Sequence, residues 1–504
     1  MKPRRLALLL AIGLTPAAGA APLKLTERFM PGLPPSPDLS VLHEDADRVE
    51  VRHSGDNWSQ SHAMRLAAGE DSIWSIAAAE LGWVSGHYEF KLLVNGNWEA
   101  GPNRYAFINT NNLIARPPAV YLTWQRDPAT TITIHWLGDE PGEPSRVEIA
   151  AAGEHSWRAV EGAVIPMPET DRWIHTVEVM DLDPDTLYAF RLGAGSTYTF
   201  RTLPDTMTRP IRFIEGGDVF GIADAMDRMN ALVGSRDPDF VVIGGDLAYE
   251  DGLAEYAWRW HRMFASFHEH MRAPDGRLIP MVVAIGNHEV QGYYVHRRED
   301  YQPGPEWQLA AAPYFYRLFA MPGRPGYNVL DLGDYASFIL LDSGHTAPVA
   351  GEQTDWLRER LAERSNRPHL FPVYHVPAYP GHRNPDDALN TEVRRHWVPL
   401  FEAAGVRLAF EHHDHCFKVT HPLRDGKVHA DGIVFIGDGA WGVGLRPPHT
   451  PENQWYIRRS AMTRHVIEVE LTPTNRTIQA LTIDGQVLDV FGQIIPAITV
   501  DENR

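Results

Sequence analysis

Phe240-Val241-Val242-Ile243-Gly244-Gly245-Asp246-Leu247-Ala248-Tyr249 decides the fold class of this chain. A short β-branched and aromatic run predicts a buried strand. The paired glycines let the backbone turn at its end, and Asp246 and Tyr249 follow within one tight turn. The same grammar occurs four more times. Arg212-Phe213-Ile214 leads through two glycines to Asp218, and residues 281–285 lead to Gly286-Asn287-His288-Glu289. Residues 369–373 lead to Tyr374-His375, and residues 406–410 to His413-Asp414-His415. Between these strands, helical patterns cover residues 223–232, 253–267, 353–362 and 392–403. Strand–helix alternation predicts an α/β layer structure. After residue 405 strands prevail, at 406–410, 433–436, 465–471 and 476–483. Two mixed sheets face to face, flanked by helices in four αββα layers, are expected.

The motifs bring seven donors to one edge of a sheet: Asp218, Asp246, Tyr249, Asn287, His375, His413 and His415. Taken singly, each has a plainer reading. An Asp after a strand is usually a turn residue or helix cap, Tyr249 alone reads as packing, and a lone histidine reads as a satisfied structural one. Five matches in order outweigh those readings. Hard oxygen donors mixed with imidazole suit iron, zinc or manganese rather than a thiolate-loving ion. Seven are more than one tetrahedral ion takes, so two cations side by side are expected. His288 points elsewhere from Asn287 and is better placed for proton transfer. His382, in Pro380-Gly381-His382-Arg383, is a lesser candidate for contact with phosphate or a leaving group. His296 and His345 are loop histidines without a distinguishing pattern, and Cys416 reads as a small buried apolar residue.

Upstream the texture is all-β. Residues 49–52, 72–76 and 86–94 alternate like strands, the last ending at the hairpin signal Asn95-Gly96. Residues 119–124, 131–136, 176–179, 188–192 and 197–202 form a second β unit, in which no chemistry is visible. Trp58 and Trp98 are expected to fill the first sandwich and its domain interface, as aromatics usually do. At the N-terminus, Lys2, Arg4 and Arg5 precede the apolar residues 6–14 and Ala18-Gly19-Ala20, the pattern of a secretory signal peptide over residues 1–20. The apolar run is too short to anchor in a bilayer. A periplasmic or secreted protein is expected.

Net charge is −19, and loss of the signal makes it −22, because Lys2, Arg4 and Arg5 go and no acid does. Such a surface argues against nucleic acid or anionic membrane as a partner. With one cysteine, no disulfide can form within the chain.

The order, spacing and neighbours of these motifs resemble the calcineurin-like metallophosphoesterases and, within them, the purple acid phosphatases. Tyr249, three residues after Asp246, marks that branch. Leu182-Asp183-Pro184-Asp185-Thr186-Leu187-Tyr188 resembles the turn of a fibronectin type III domain, and Trp58, Trp74 and Tyr88–Trp98 resemble early-set, glycogen-recognising domains. The implied organisation is a signal peptide (1–20), an early-set-like sandwich (21–112), a fibronectin-like domain (113–205) and a catalytic domain (206–504).

The resemblance implies a ferric site of Asp218, Asp246, Tyr249 and His415. A second site for Fe(II), Zn or Mn would consist of Asn287, His375, His413 and the bridging Asp246. It implies hydrolysis of a phosphate monoester by in-line attack of a metal-activated hydroxide, with His288 as general acid and a substrate contact. A phosphodiesterase on the same site, or an envelope protein that binds glycan through its tryptophans, are the alternatives. Three places depart from the family pattern. Phe220 stands where a glycine is usual, His412 replaces the glycine before His413, and Phe417-Lys418 replaces an aromatic–acidic pair.

Overall fold

The computed structural model describes residues 23–27, 37–43, 46–66, 72–82, 86–99, 104–108, 119–138, 145–170, 172–192, 197–221, 224–322, 324 and 326–495. The signal-peptide pattern and the last nine residues lie outside them. The chain divides near Pro117 into two units.

The first unit is a β-sandwich. One sheet runs Leu23–Glu27, Pro37–Leu42, Ile73–Ala77 and Arg65–Leu66, and the other is centred on Val49–His53 and Gly86–Val94. Strand alternation buries Val49, Val51, Phe90 and Leu92 against Leu39, Trp74 and Ile76. Trp98 departs from the core-filling expectation. It is 50% exposed on the short strand after Asn95-Gly96, with the Arg52 guanidinium 5.6 Å above its ring.

The second unit starts with two four-stranded antiparallel sheets, built on Ile132–Gly138 and on Leu187–Leu192. Tyr188 Oη accepts the Asp183 N–H at 2.9 Å, pinning the turn before its own strand. The core of this sandwich continues into the α/β part of the unit, where Trp124 meets Phe240 edge-on at 5.9 Å. Tyr121 is a second tie: it stacks on Phe264 at 3.8 Å and donates to the Leu318 carbonyl at 2.6 Å.

Two sheets face each other in the α/β part. A six-stranded sheet has Met281–Val283, Phe240–Ile243 and Ile211–Gly216 parallel at one side, then His465–Leu471, Asn475–Thr482 and Val487–Ile494. A seven-stranded sheet has Ala336–Leu341, His369–Tyr374, Leu408–Glu411 and Val434–Gly437 parallel at its centre. Aromatic side chains fill the space between them. Phe213 lies 5.1 Å from Phe338 and 5.5 Å from Phe371. Helices Ala225–Ser235 and Trp258–His270 cover the outer face of the first sheet. Glu352–Ala362, Ala388–His396 and Val398–Ala403 cover that of the second. This is the expected αββα order.

Three elements differ from the sequence reading. The single helix expected over 392–403 is two helices that meet at Trp397, because Pro399 cannot donate within a continuous helix but fits a first turn. The helix expected from 253 starts at Trp258, after the tighter turn Ala254–Tyr256. A half-exposed edge strand, Val487–Ile494, was not among the expected strands.

Tyr121→Phe leaves the buried Leu318 carbonyl without its donor and should cost about 1–3 kcal/mol. Tyr121→Ala also removes the ring and should cost about 3–5 kcal/mol. Urea unfolding midpoints of the two variants measure both.

Candidate metal centre

Parallel strands end at one side of each sheet, and both sheets present that side together. Asp218, Asp246 and Asn287 follow the strands Ile211–Gly216, Phe240–Ile243 and Met281–Val283. His375, His413 and His415 follow His369–Tyr374 and Leu408–Glu411. The donors therefore come from two sheets, not from one edge as the motif spacing suggested. Face-to-face packing aligns the two sets of strand ends.

The backbone at these residues is unusual. Asp218, Asp246, Tyr249, His413 and His415 all have positive φ, between 53° and 81°. Each such non-glycine residue costs on the order of 1–3 kcal/mol, a strain that concentrates at functional sites. Glu289 holds one of these turns: its buried carboxylate accepts the N–H groups of Asp246, Leu247 and Gly286 at 2.7–2.8 Å. Burial, with the Asp246 charge beside it, pushes Glu289 up to about 7.

His412 explains one glycine of each pair. Its buried ring is held between Glu215 and the Tyr374 carbonyl. A Cβ on Gly244 would sit 1.7 Å from it, and one on Gly217 2.5 Å. A side chain at either position would expel the imidazole. The other two departures also have partners. Phe220 lies under the Arg259 guanidinium, and Lys418 is fully buried on Glu411, with Asp438 Oδ1 at 3.7 Å.

All seven expected donors gather into two groups. In the first, Tyr249 Oη lies 2.8 Å from Asp218 Oδ1 and 3.1 Å from His415 Nε2, and those two atoms are 2.9 Å apart. In the second, His413 Nδ1 is 3.0 Å from His375 Nε2, and His375 Nε2 is 3.0 Å from Asp246 Oδ2. Asp246, His375 and His413 offer atoms all within 4.8 Å of one another. Asn287 joins the second group through Tyr294, whose hydroxyl is 3.4 Å from Asn287 Oδ1 and 3.3 Å from His413 Nε2. His382 joins neither group through its described side-chain contacts: its Nδ1 is 2.7 Å from the Pro447 carbonyl, while its backbone N–H donates to Asp414.

These groups fit cations. Asp246 Oδ2 is buried and receives no well-directed hydrogen bond. Burial would raise Asp246, but His375, His288 and His413 together outweigh it and hold the carboxylate well below its usual range. Burial likewise opposes and His415 favours an ionised Asp218, which is also lowered. His375 is lowered by burial and raised by Asp246 and Asp218, with a net value of about 9. Burial and the His375 charge push its neighbour His413 well below the usual histidine value. One proton thus lies between two imidazole lone pairs that a metal ion can take instead. Burial and the Asp218 charge push the Tyr249 phenol well up, so only a strongly acidic cation would hold it as phenolate.

Beside the first group, His288 Nδ1 is 2.5 Å from Asp251 Oδ1, and its ring stacks on Tyr249 at 4.3 Å. Burial opposes its charged form, but Asp246 and Asp251 prevail and raise its pKa. The sequence reading missed Asp251, Glu289 and Tyr294. Asp251-Gly252, two residues past Tyr249, was the one local signal available. His345 is a satisfied structural residue, 3.0 Å from Ser343 Oγ and 3.2 Å from the Tyr293 carbonyl.

Among the described residues one further trio has ligand-type side chains: His53, Asp56 and His62 in the first unit. His53 Nδ1 accepts the Gly55 N–H, which leaves the proton on Nε2, facing Asp56 Oδ2 at 3.7 Å. That arrangement turns an N–H of His53, not a lone pair, toward Asp56.

Comparison with known proteins agrees with this geometry. The family described as "Purple acid Phosphatase, N-terminal domain" matches residues 117–202, and that described as "Calcineurin-like phosphoesterase" matches residues 211–417. Purple acid phosphatase 18 of Arabidopsis thaliana is 26% identical over 69% of this chain and 77% of its own length. Purple acid phosphatase 13 of the same plant is 25% identical, and the match spans 55% of this chain and 56% of that protein. A purple acid phosphatase from yellow lupin (Lupinus luteus) seeds superposes with a TM-score of 0.64 at 15% identity, over 90% of this chain and 92% of that one. PhoD superposes with a TM-score of 0.57 at 12% identity, over 78% and 94%. Together with the seven converging donors, these likenesses place the chain in the purple acid phosphatase branch of the calcineurin-like phosphoesterases, a family of metal-dependent phosphoester hydrolases.

Proposed function

We propose that the chain is an exported phosphatase that cleaves phosphate monoesters at two cations, an Fe(III) and a divalent Fe, Zn or Mn. The observation that carries this reading is the convergence of Tyr249 Oη, Asp218 Oδ1 and His415 Nε2 within 3.1 Å of one another. Asp218, Tyr249 and His415 would hold the iron, Asn287, His375 and His413 the divalent ion, and Asp246 both. When bound, the pair supplies positive charge to the phosphoryl oxygens and makes hydroxide available near neutral pH.

The protein's part is proton supply and orientation. His288, its protonated form favoured by Asp246 and Asp251, donates to the alkoxide that leaves as the P–O bond breaks. Its backbone N–H, 2.8 Å from Asp246 Oδ1, orients that carboxylate as well. Export rests on the pattern in residues 1–20. The exposed Trp98 supports at most a weak glycan contact.

Turnover of a nitrophenyl monoester should exceed that of the bis-nitrophenyl diester, and the reverse order makes the enzyme a diesterase. Asp246→Asn should lose at least one metal and nearly all turnover, as elemental analysis and rate together would show. Tyr249→Phe should abolish the visible phenolate-to-iron band while metal remains bound; a surviving band assigns the phenolate elsewhere. His288→Ala should slow alkyl phosphates by about 10²–10⁴-fold, and nitrophenyl phosphate much less. Equal slowing of both substrates removes His288 as the acid.

A further inference from the structure

The three candidate imidazole ligands are not held alike. His375 Nδ1 and His415 Nδ1 each lie 3.0 Å from a backbone carbonyl, of Gly244 and of Gly444. Each therefore carries its proton on Nδ1 and turns Nε2 toward the centre. His413 is reversed. Its Nδ1 faces His375 Nε2, and its Nε2 faces the Tyr294 hydroxyl at 3.3 Å. Its main chain is fixed separately, since its carbonyl accepts from Arg383 Nη1 at 2.7 Å and from Arg446 Nη1 at 3.2 Å. The ring orientation therefore depends on a side-chain hydroxyl, which a substitution can remove.

We propose that Tyr294 is a positioning residue for the divalent cation, selecting the tautomer of His413 and the aim of Asn287. A phenol has one proton to give and lone pairs to accept with. Tyr294 Oη accepts the His413 Nε2 proton, so that Nδ1 keeps its lone pair for the ion. It gives its own proton to Asn287 Oδ1, at 3.4 Å, which has a second lone pair for the same ion. Tyr294 thus touches two donors of the second group and, among the described contacts, none of the first. The side chain is buried, stacks on His296 at 5.4 Å and lies under the Arg297 guanidinium at 4.8 Å. These contacts use the ring, so phenylalanine preserves them. Partners of this kind usually change metal affinity by about 10–100-fold.

The inference rests on the dinuclear reading, and the experiment separates the two. Iron-loaded parent and Tyr294→Phe proteins are titrated with Zn²⁺, followed by calorimetry, elemental analysis and the visible band, with thermal unfolding of both metal-free chains as the folding control. The expected result is a zinc dissociation constant raised about 10–100-fold in the variant, with iron content and visible band unchanged and the metal-free chain still unfolding in one cooperative transition. Zinc affinity within about twofold of the parent's, or iron lost in step with zinc, overturns the role of Tyr294 while the dinuclear reading stands. A parent that takes up no second cation overturns both.

Discussion

Asp218 and Asp246 are sealed from water close enough to disfavour each other's charge. Like charges in such a place cost several kcal/mol unless positive charge answers them. The rest of the site supplies the answer. His375 answers both carboxylates, and the proton between it and His413 lies where a cation would bind more strongly. Stability and chemistry share this one device. The carboxylates that a folded chain can bury only against positive charge are those that would hold the cations of the proposed centre.

The fold exists to hold that device steady. Phe213, Phe240, Phe338 and Phe371 lock the two sheets face to face, so strand ends from separate sheets meet within hydrogen-bonding reach. The turns then leave the strands with left-handed backbone at five of the seven donors. Glu289 and His412 support those turns from below, one with its carboxylate and the other by filling the space that Gly217 and Gly244 leave. The upstream sandwich shares its core with the α/β part through Tyr121 and Trp124.

The donors were legible because each follows an apolar strand, and strand ends are where α/β folds place ligands. Layer order was legible for the same reason. Residues that act through another side chain were hidden. Asp251 meets His288 across 37 residues and Tyr294 meets His413 across 119. No local pattern marks such pairs. His412 looked like a defect in a motif and is instead the reason for two glycines. His382, in its Gly-His-Arg setting, has Nδ1 tied to the Pro447 carbonyl, which leaves Nε2 as the atom for any phosphate contact. Val487–Ile494 escaped because an edge strand with one wet face has a weak hydrophobic signal.

Anomalous diffraction at the iron and zinc edges, from crystals grown with both metals, tests the paired-cation centre most directly. Two peaks should appear, one bonded to Tyr249 and His415 and the other to His375 and His413, with the Asp246 carboxylate between them. A single peak, or density that leaves Asp246 bonded to neither ion, would contradict it.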